Sequence, residues 1–337
     1  MQKYSLIMAL FNKVTKQIRR FVRQQIVKEQ YPMLTSFSRY ALQKEGAIGL
    51  VYMLHHIDEK NPIGIPTNED LKVSPGFLEN MIIRYRKQGF DFVSLDKLYD
   101  IISSSKTPER PFVAFTIDDG YLDNYTNALP VFEKYEVPFA IFVATDFVDK
   151  KAVLWWDCLE NLILSNESIA TSDGKVYPCK TFQQRWDTFR YLRERILCLN
   201  QNDLVNELRS MFNSYQIDWY APIKSKGLSW QQVRELANHS LCTIGGHTIS
   251  HPALNKLSLE SARHEIKMGL KRLEDEINQE VRFFAYPYGT PNEIGVRERL
   301  IVGEFKIQMA FMAHMGCITD TCINSMSYLP RIYLHEL

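Results

Sequence analysis

The sequence of 337 residues has no long apolar run, no excess of one charge and no glycine-rich phosphate loop. The apolar run at residues 6–11 is too short to span a bilayer, and it lacks the order of segments in a secretory signal. The 40 basic and 39 acidic residues leave a formal net charge of +1, so the chain as a whole has no attraction to nucleic acid. We therefore expect neither a membrane-spanning protein nor one that binds nucleic acid.

The cysteines are also few and unpaired in sequence, since none of the six forms a CxxC pair. In a chain of this length such cysteines need not form a disulfide framework, and they fit a reducing compartment. We expect a cytoplasmic protein. Apolar residues make up 45% of the chain, and no low-complexity tract interrupts them, so a sizeable core is expected.

Residues 1–45 are predicted to form an N-terminal helical extension, and residues 46–337 the main domain. Within the extension, residues 13–29 carry six basic side chains against one acid, and their apolar residues recur at helical spacing. Such a helix could lie on an anionic membrane surface, which would make the protein peripherally membrane-associated. The alternative is that its apolar face packs on the main domain.

From residue 46 onward, short apolar runs alternate with helical patterns. The predicted strands lie at 47–57, 91–95, 111–117, 137–145, 241–247 and 281–289, and the clearest helices at 74–89, 124–135, 228–240 and 258–277. A weaker alternating region follows at 306–314 and 327–334. Residues 151–226 break this rhythm. They include Trp-Trp-Asp at 155–157 and a helical pattern through 181–213, and they contain no convincing buried strand. We predict that they form a helical insertion. The alternation favours a parallel sheet covered by helices, either a barrel or a doubly wound sheet.

Polar residues follow four of the apolar runs, in the segments VYMLHH, AFTIDDG, TIGGHTISH and FFAYPYG. In either kind of parallel sheet, active-site residues gather at the carboxyl ends of the strands. The four segment ends are therefore expected to meet at one end of the sheet.

Asp118 and Asp119 are adjacent carboxylates at such a strand end, followed by Gly120. Adjacent residues that leave a strand point in different directions, so one carboxylate could bind a metal while the other acts as a base. The alternative is that Asp-Asp-Gly is only a solvated turn.

His247 and His251 lie four residues apart, and we expect them on one helical turn with both rings facing the same way, as a shared metal requires. One Asp and two His leave coordination positions open for water and substrate, which is typical of a catalytic metal site. The alternative for either histidine is a structural or exposed role.

The segment Phe-Phe-Ala-Tyr-Pro-Tyr-Gly at 283–289 ends a predicted strand in a turn. The turn could aim a backbone N–H at a developing oxyanion, and its tyrosines could line a sugar site. Without the other motifs it would be an ordinary junction between a strand and a turn.

Three segments together resemble a known family: TIDDG at 116–120, HTISHP at 247–252 and AYPYG at 285–289. They are similar to the first three motifs of the polysaccharide deacetylases, the NodB-homology domains of carbohydrate esterase family 4. The similarity covers roughly 47–150 and 226–335. It implies an α/β fold, a distorted (β/α) barrel with fewer than eight strands, and a divalent metal, usually Zn²⁺ but also Co²⁺, Ni²⁺ or Mn²⁺.

The resemblance also implies roles for individual residues. Asp118 would be the catalytic base, while Asp119, His247 and His251 would bind the metal. The Tyr288 backbone N–H would stabilise the oxyanion. The reaction would remove acetyl groups from an N-acetylated or O-acetylated sugar of a polysaccharide or a glycan precursor.

Two features depart from the family pattern. Many members have an arginine that orients the base where this chain has Ala285, and Arg331 could supply that guanidinium from another strand. The late motif that supplies a histidine as general acid is not evident, and His55 or His335 could take that role.

Three other functions stay open at this point. A catalytically impaired glycan-binding protein would retain the same fold, and an amidohydrolase of small non-sugar amides would use the same site. A nucleotide-sugar glycosyltransferase would hold Mg²⁺ on the two aspartates, but it would leave the paired histidines without a role.

Overall fold

The structure is a computed structural model, and it describes residue 38 and residues 41–44, 46–104 and 107–336. The basic segment at 13–29, and with it most of the predicted extension at 1–45, lies outside the described residues. Among the residues that are described, no helix is both long enough and apolar enough to cross a lipid bilayer.

Seven parallel strands close into a barrel, which confirms the predicted barrel of fewer than eight strands. Around the barrel, each of these strands pairs with the next, and the last pairs with the first. In spatial order they are β1 (Ala47–Leu54), β5 (Phe112–Asp119), β6 (Phe139–Val143), β9 (Cys242–Gly246), β10 (Phe283–Ala285), β11 (Met309–Met315) and β13 (Leu329–Tyr333).

The remaining strands are short and lie outside this ring. Parallel β4 pairs with β5, antiparallel β12 pairs with β1, and β2 pairs with β3. Their bounds are β2 (His56–Ile57), β3 (Lys72–Val73), β4 (Asp91–Phe92), β7 (Ser168–Ala170), β8 (Val176–Pro178) and β12 (Ile318–Thr319).

Side chains along β5 alternate between two apolar cores, as the pleat of a strand requires. Phe112 and Ala114 pack inside the barrel, whereas Val113, Phe115 and Ile117 pack against the surrounding helices. The same alternation continues to the end of the strand and turns the side chain after Ile117 into the barrel. The side chain of Asp118 therefore lies inside the barrel, at its carboxyl end.

Between residue 46 and the end of the described part of the chain, the structure contains twelve α-helices. They are α1 (Pro66–Glu69), α2 (Pro75–Lys87), α3 (Leu95–Ser103), α4 (Leu129–Lys134), α5 (Thr145–Val148), α6 (Trp155–Leu164), α7 (Phe182–Leu197), α8 (Leu204–Met211), α9 (Ala221–Lys226), α10 (Trp230–Ala237), α11 (Leu259–Ile277) and α12 (Val296–Gly303). Ser74 and Ser258 cap α2 and α11, because their hydroxyl groups accept hydrogen bonds from backbone N–H groups of the first helical turn. A π-helical turn, Asn124–Ala128, precedes α4 in the segment predicted as one helix.

Residues 151–226 form helices α6 to α9 around a separate apolar core, in agreement with the predicted helical insertion. The prediction that this segment contains no buried strand needs correction, because β7 and β8 form an antiparallel hairpin there. Ile169 of that hairpin is fully buried in the insertion core. Its strands have only three residues each, which is too short for alternation to be visible in the sequence.

Candidate metal centre and active site

Asp118 and Arg331 meet inside the barrel at the carboxyl ends of β5 and β13. Two parallel hydrogen bonds of 2.7 Å join the guanidinium to the two carboxylate oxygens. Arg331 also donates to the Thr116 hydroxyl at 3.1 Å and to the Met312 carbonyl at 3.2 Å. These contacts leave the carboxylate with one orientation.

The Asp118 side chain is only 3% exposed, so its charge needs compensation. Burial raises the pKa of this carboxyl, but the charge and hydrogen bonds of Arg331, together with the nearby His247 and His55, outweigh that effect and hold the pKa below its ordinary value of 3.8. Asp118 is therefore an ionised carboxylate at neutral pH, as a proton acceptor must be.

Asp119 faces the two histidines that follow β9. Its backbone has φ of +80°, a left-handed conformation that is rare for a buried non-glycine residue and typical of functional sites. Its Oδ1 lies 3.2 Å from His247 Nε2 and 3.3 Å from His251 Nε2. The two adjacent aspartates thus face different partners, as the sequence predicts.

The prediction that the two histidines share one helical turn is wrong. The segment from His247 to His251 is an irregular loop, with φ of +71° at Thr248 and +60° at His251. Two N–H groups at the start of α5 donate to the carbonyl oxygens of Thr248 and Ile249. The backbone groups of the loop therefore bond to other elements instead of forming a helical turn, yet both rings still face Asp119.

Glu265 of α11 binds the other side of this loop. Its Oε2 accepts hydrogen bonds from the N–H groups of Ile249 and Ser250, at 3.0 and 2.9 Å. Its Oε1 accepts one from the Ser250 hydroxyl, at 2.8 Å. Glu265 could not be identified from the sequence, because nothing in the helical pattern of α11 distinguishes it from the other acids there.

The tautomer of His247 follows from the hydrogen bond that its Nδ1 atom makes. Nδ1 lies 2.7 Å from the Ala285 carbonyl oxygen, which can only accept, so Nδ1 donates. In the neutral ring this leaves the Nε2 lone pair directed at Asp119. Asp119 Oδ1 itself is buried and accepts no hydrogen bond from the described residues.

Asp119, His247 and His251 therefore fit a divalent cation. Their three ligand atoms lie within 4.8 Å of one another. A carboxylate oxygen and imidazole lone pairs directed at one point repel each other unless a cation or a proton lies between them, and this donor set suits zinc.

His55 lines the same cavity as the aspartates. Its Nδ1 is buried and without a hydrogen-bond partner among the described residues, while its carbonyl accepts from the Asn124 side chain at 2.8 Å. Burial lowers the pKa of His55, and the nearby Asp119 and Asp118 oppose that effect. His335, the other candidate, also lines this cavity, with its ring 4.2 Å from that of Tyr333.

Tyr288 lies beside the histidine cluster, with its ring 4.7 Å from that of His251. Its backbone has φ of +58°, and its N–H donates to no group in the part of the chain described here. Its hydroxyl accepts a hydrogen bond from Trp155 Nε1 at 3.1 Å. The Tyr288 amide is thus a donor without a partner among the described residues, in a residue whose ring contacts a candidate metal ligand.

These groups surround one cavity of about 420 Å³, which the insertion partly covers. Trp155, Trp156, Phe189 and Arg193 of α6 and α7 line it. The Trp156 ring lies 5.6 Å from that of His251. From the sequence, the two tryptophans could be assigned only to the insertion, and the motif Trp-Trp-Asp was the one feature that set them apart.

Comparison with known proteins identifies the family. The family model described as Polysaccharide deacetylase matches residues 105–299, which is more than half of the chain. The chain belongs to the polysaccharide deacetylase family. The resemblance that the three sequence motifs carry is thereby confirmed.

A curated relative in this deacetylase family is named "Putative polysaccharide deacetylase YxkH", from Bacillus subtilis (strain 168). It is 21% identical over 243 residues, which cover 72% of this chain. The match spans only 57% of the length of that relative.

Solved deacetylase structures share the fold. The Streptococcus pyogenes deacetylase PplD, solved in complex with acetate, has a TM-score of 0.57 at 17% identity, covering 85% of this chain and 92% of its own. IcaB from Ammonifex degensii has a TM-score of 0.55 at 16% identity, covering 86% and 92%. At these identities the likeness shows the barrel fold alone.

Proposed function

We propose that this deacetylase hydrolyses an N-acetyl or O-acetyl group on a sugar, with a divalent cation held by Asp119, His247 and His251. The proposal rests on two features that lie at the same end of the barrel. An ionised, oriented carboxylate at Asp118 stands next to a cluster of three metal-binding side chains. A hydrolase of this kind needs both.

The cation, when bound, would supply Lewis acidity, which polarises a carbonyl group and makes water more acidic. Zn²⁺ suits one carboxylate and two imidazoles, and Co²⁺, Ni²⁺ or Mn²⁺ could substitute. The hydrogen bond from His247 to the Ala285 carbonyl fixes the ring orientation and the tautomer.

Asp118 would accept the proton of the attacking water, while Arg331 keeps the carboxylate in place. As the new C–O bond forms, the Tyr288 N–H would donate to the oxygen that becomes negatively charged. His55, in its protonated form, would give a proton to the leaving nitrogen or oxygen as its bond to the acetyl carbon breaks. Asp118 would then release the proton that it accepted, and His55 would take one up, so that the site is restored. The products are acetate and a free amine or hydroxyl on the sugar.

Two of the alternatives lose support from this geometry. The paired histidines have a role beside Asp119, which a glycosyltransferase would not need. The ionised Asp118 and the three side chains that could bind a metal also argue against a catalytically impaired glycan-binding protein. A small-amide amidohydrolase is separated from a sugar deacetylase by the substrate it turns over.

The test is release of acetate from a panel of N-acetylhexosamines and simple amides, with and without added Zn²⁺. We expect zinc-dependent release from a sugar substrate, and no release by His247→Ala. His264→Ala removes an exposed histidine on α11 and is the matched control, which should retain metal and activity. Elemental analysis should find about one metal ion per chain in the wild type and the control only. Equal metal in His247→Ala, or turnover of simple amides alone, would contradict the proposal.

A further inference from the structure

Three polar side chains that follow β5 bind the segment 55–57, which carries His55. They are those of Asp123, Asn124 and Asn127, which we call the polar clamp, and they lie in or beside the π-helical turn that precedes α4. Asn124 Nδ2 donates to the His55 carbonyl at 2.8 Å, and Asn127 Nδ2 donates to the Ile57 carbonyl at 2.8 Å. The polar clamp therefore holds this segment at both of its ends.

Asp123 binds the middle of the same segment. Its Oδ2 accepts a hydrogen bond from His56 Nδ1 at 2.6 Å, and its Oδ1 accepts one from the Ile57 N–H at 3.1 Å. An aspartate at the N-cap position of a helical turn usually accepts from an N–H group of that turn, but Asp123 makes no such bond. Its Oδ1 also accepts from Asn124 Nδ2 at 2.9 Å, so the two side chains hold each other in place.

Asn124 occupies its position at a cost to stability. Its side chain is fully buried, and its Oδ1 has no hydrogen-bond partner among the described residues. A buried acceptor without a partner costs free energy, which an apolar side chain at this position would avoid. An apolar side chain could not bind the His55 carbonyl, however. The π-helical turn itself is a rare backbone form that is frequent at functional sites. Both features indicate a role beyond the stability of the fold.

The ring of His55 depends on its backbone for its position. Its Nδ1 is buried and has no hydrogen-bond partner among the described residues, so no bond at this atom fixes the ring. The centre of the Tyr333 ring lies 6.0 Å from that of His55, which leaves room for the histidine ring to shift. Because the side chain lines the catalytic cavity, a shift of the segment 55–57 would move the ring relative to a bound substrate.

The polar clamp also links His55 to the strand that carries the base. β1 and β5 are parallel neighbours in which Leu54 lies opposite Ile117, so the residues that follow, His55 and Asp118, lie at the same level of the barrel. Asn124 comes shortly after Asp118 in the chain and reaches across to the His55 carbonyl. A group that transfers a proton has to lie within hydrogen-bond reach of the atom that receives it, and a displacement of roughly 1 Å can cost about 10²-fold in rate.

We propose that Asp123, Asn124 and Asn127 are positioning residues for proton transfer from His55 to the leaving group. This inference rests on the proposed deacetylase function and deepens it. In that step the protonated ring of His55 gives its proton to the leaving nitrogen or oxygen, which keeps the electron pair of its broken bond to the acetyl carbon. The polar clamp takes no part in these bond changes, and it sets the place from which the proton is given.

The test is a double-mutant cycle on acetate release from the acetylated sugar that the wild type turns over fastest. His55→Ala should lower kcat about 10²- to 10⁴-fold, as expected for loss of a general acid. Asn124→Ala should lower kcat about tenfold to a hundredfold, with KM and metal content near the wild-type values. Added to His55→Ala, it should lower kcat by less than about twofold, because the polar clamp acts through His55. Losses that multiply in the double variant would overturn the inference.

Hydrolysis of 4-nitrophenyl acetate gives a second readout, which damage to the fold would not reproduce. Its leaving group departs as the 4-nitrophenolate anion and needs no proton, so His55→Ala and Asn124→Ala should keep most of the wild-type kcat/KM on this ester. Asn127→Ala replaces a partly exposed residue, so it tests the polar clamp even if Asn124→Ala folds poorly, and should show the same selective loss. Thr126→Ala removes an exposed side chain from the same turn and should behave like the wild type.

These measurements separate failure of this inference from failure of the proposed function. A wild type that releases acetate from no acetylated sugar would overturn the deacetylase function, and the inference with it. An active wild type whose kcat is unchanged in Asn124→Ala and Asn127→Ala would overturn the inference alone, as would equal losses on the sugar and on 4-nitrophenyl acetate. A fully active His55→Ala would show that another group, such as His335, gives the proton, and would also overturn the inference.

Discussion

Arg331 binds Asp118 through both of its terminal nitrogens, at 2.7 Å each, although 213 residues separate the two in the chain. The arginine side chain is fully buried and that of the aspartate nearly so. Many members of the family have an arginine in the motif that here carries Ala285. We propose that the guanidinium of Arg331, on β13, takes the role of that missing arginine.

Arg331→Lys should retain the fold and the metal but lower kcat by about tenfold to a hundredfold. The lysine keeps the positive charge but loses the planar fork that fixes the carboxylate, and a misplaced base of this kind costs rate. Steady-state kinetics with metal analysis and thermal melting would measure this. Arg272→Lys, at a half-exposed arginine on α11, is the control. A fully active Arg331→Ala would show that Asp118 needs no such partner.

Replacement of Asp118 should remove turnover alone, whereas replacement of Asp119 should remove both turnover and metal binding. Asp118→Asn should lose about 10²- to 10⁴-fold in turnover, as expected for loss of a general base, while keeping its metal. Asp119→Asn should lose both, because its Oδ1 is the oxygen that the two histidines face. Elemental analysis and acetate release on both variants give the answer. Metal lost only in Asp118→Asn would reverse the assignment of base and ligand.

The sequence could predict those site residues whose position follows from strand periodicity. Asp118 lies two residues after Thr116 and four after Ala114, on the inward face of β5. Arg331 likewise lies two residues after Leu329, which packs inside the barrel. Once the strands are known to close into a ring, both side chains point to its axis. The sequence alone left open which end of the barrel Arg331 would face.

The parts that the sequence could not predict depend on contacts between distant segments. The loop from His247 to His251 takes its shape from α5 and Glu265, not from a local helical preference. The aromatic cover over the site comes from the insertion, whose tryptophans carry no periodic signal of their position. The apolar residues of α11 predict a helix, but they do not show which acid on it faces the loop.

Contact with a membrane through residues 13–29 stays a prediction, since these residues lie outside the described part of the chain. Each basic residue near an anionic membrane surface contributes roughly 1 kcal/mol to the free energy of binding, and salt screens that attraction. The full chain should co-sediment with vesicles containing anionic lipid at low salt, less so at high salt, and not after deletion of residues 1–30. Vesicles of neutral lipid are the control. Binding that neither salt nor the deletion changes would contradict a role for this segment.

Glu265 should control how well the site holds its metal, although it touches no metal ligand side chain directly. Its carboxylate accepts three hydrogen bonds from Ile249 and Ser250, in the middle of the loop that joins the two histidines. Gly269, one turn further along α11, lets the helix approach this loop, because a Cβ there would lie 2.7 Å from the Thr248 carbonyl. The loop keeps a left-handed conformation at both Thr248 and His251, which costs free energy unless surrounding contacts impose it.

Glu265→Ala should therefore bind Zn²⁺ about 10- to 100-fold more weakly, the loss typical when an outer partner of a metal ligand is removed. Competition with a chromophoric chelator measures this affinity without reference to turnover. Glu265→Gln can still accept through its amide oxygen and should recover part of the loss. Glu260→Ala removes an exposed acid from the same helix and should bind zinc like the wild type, which excludes a general effect of charge. If Glu265→Ala bound zinc as tightly as Glu260→Ala, the loop would hold its shape without α11, and the hydrogen bonds to Glu265 would serve only to dock the helix.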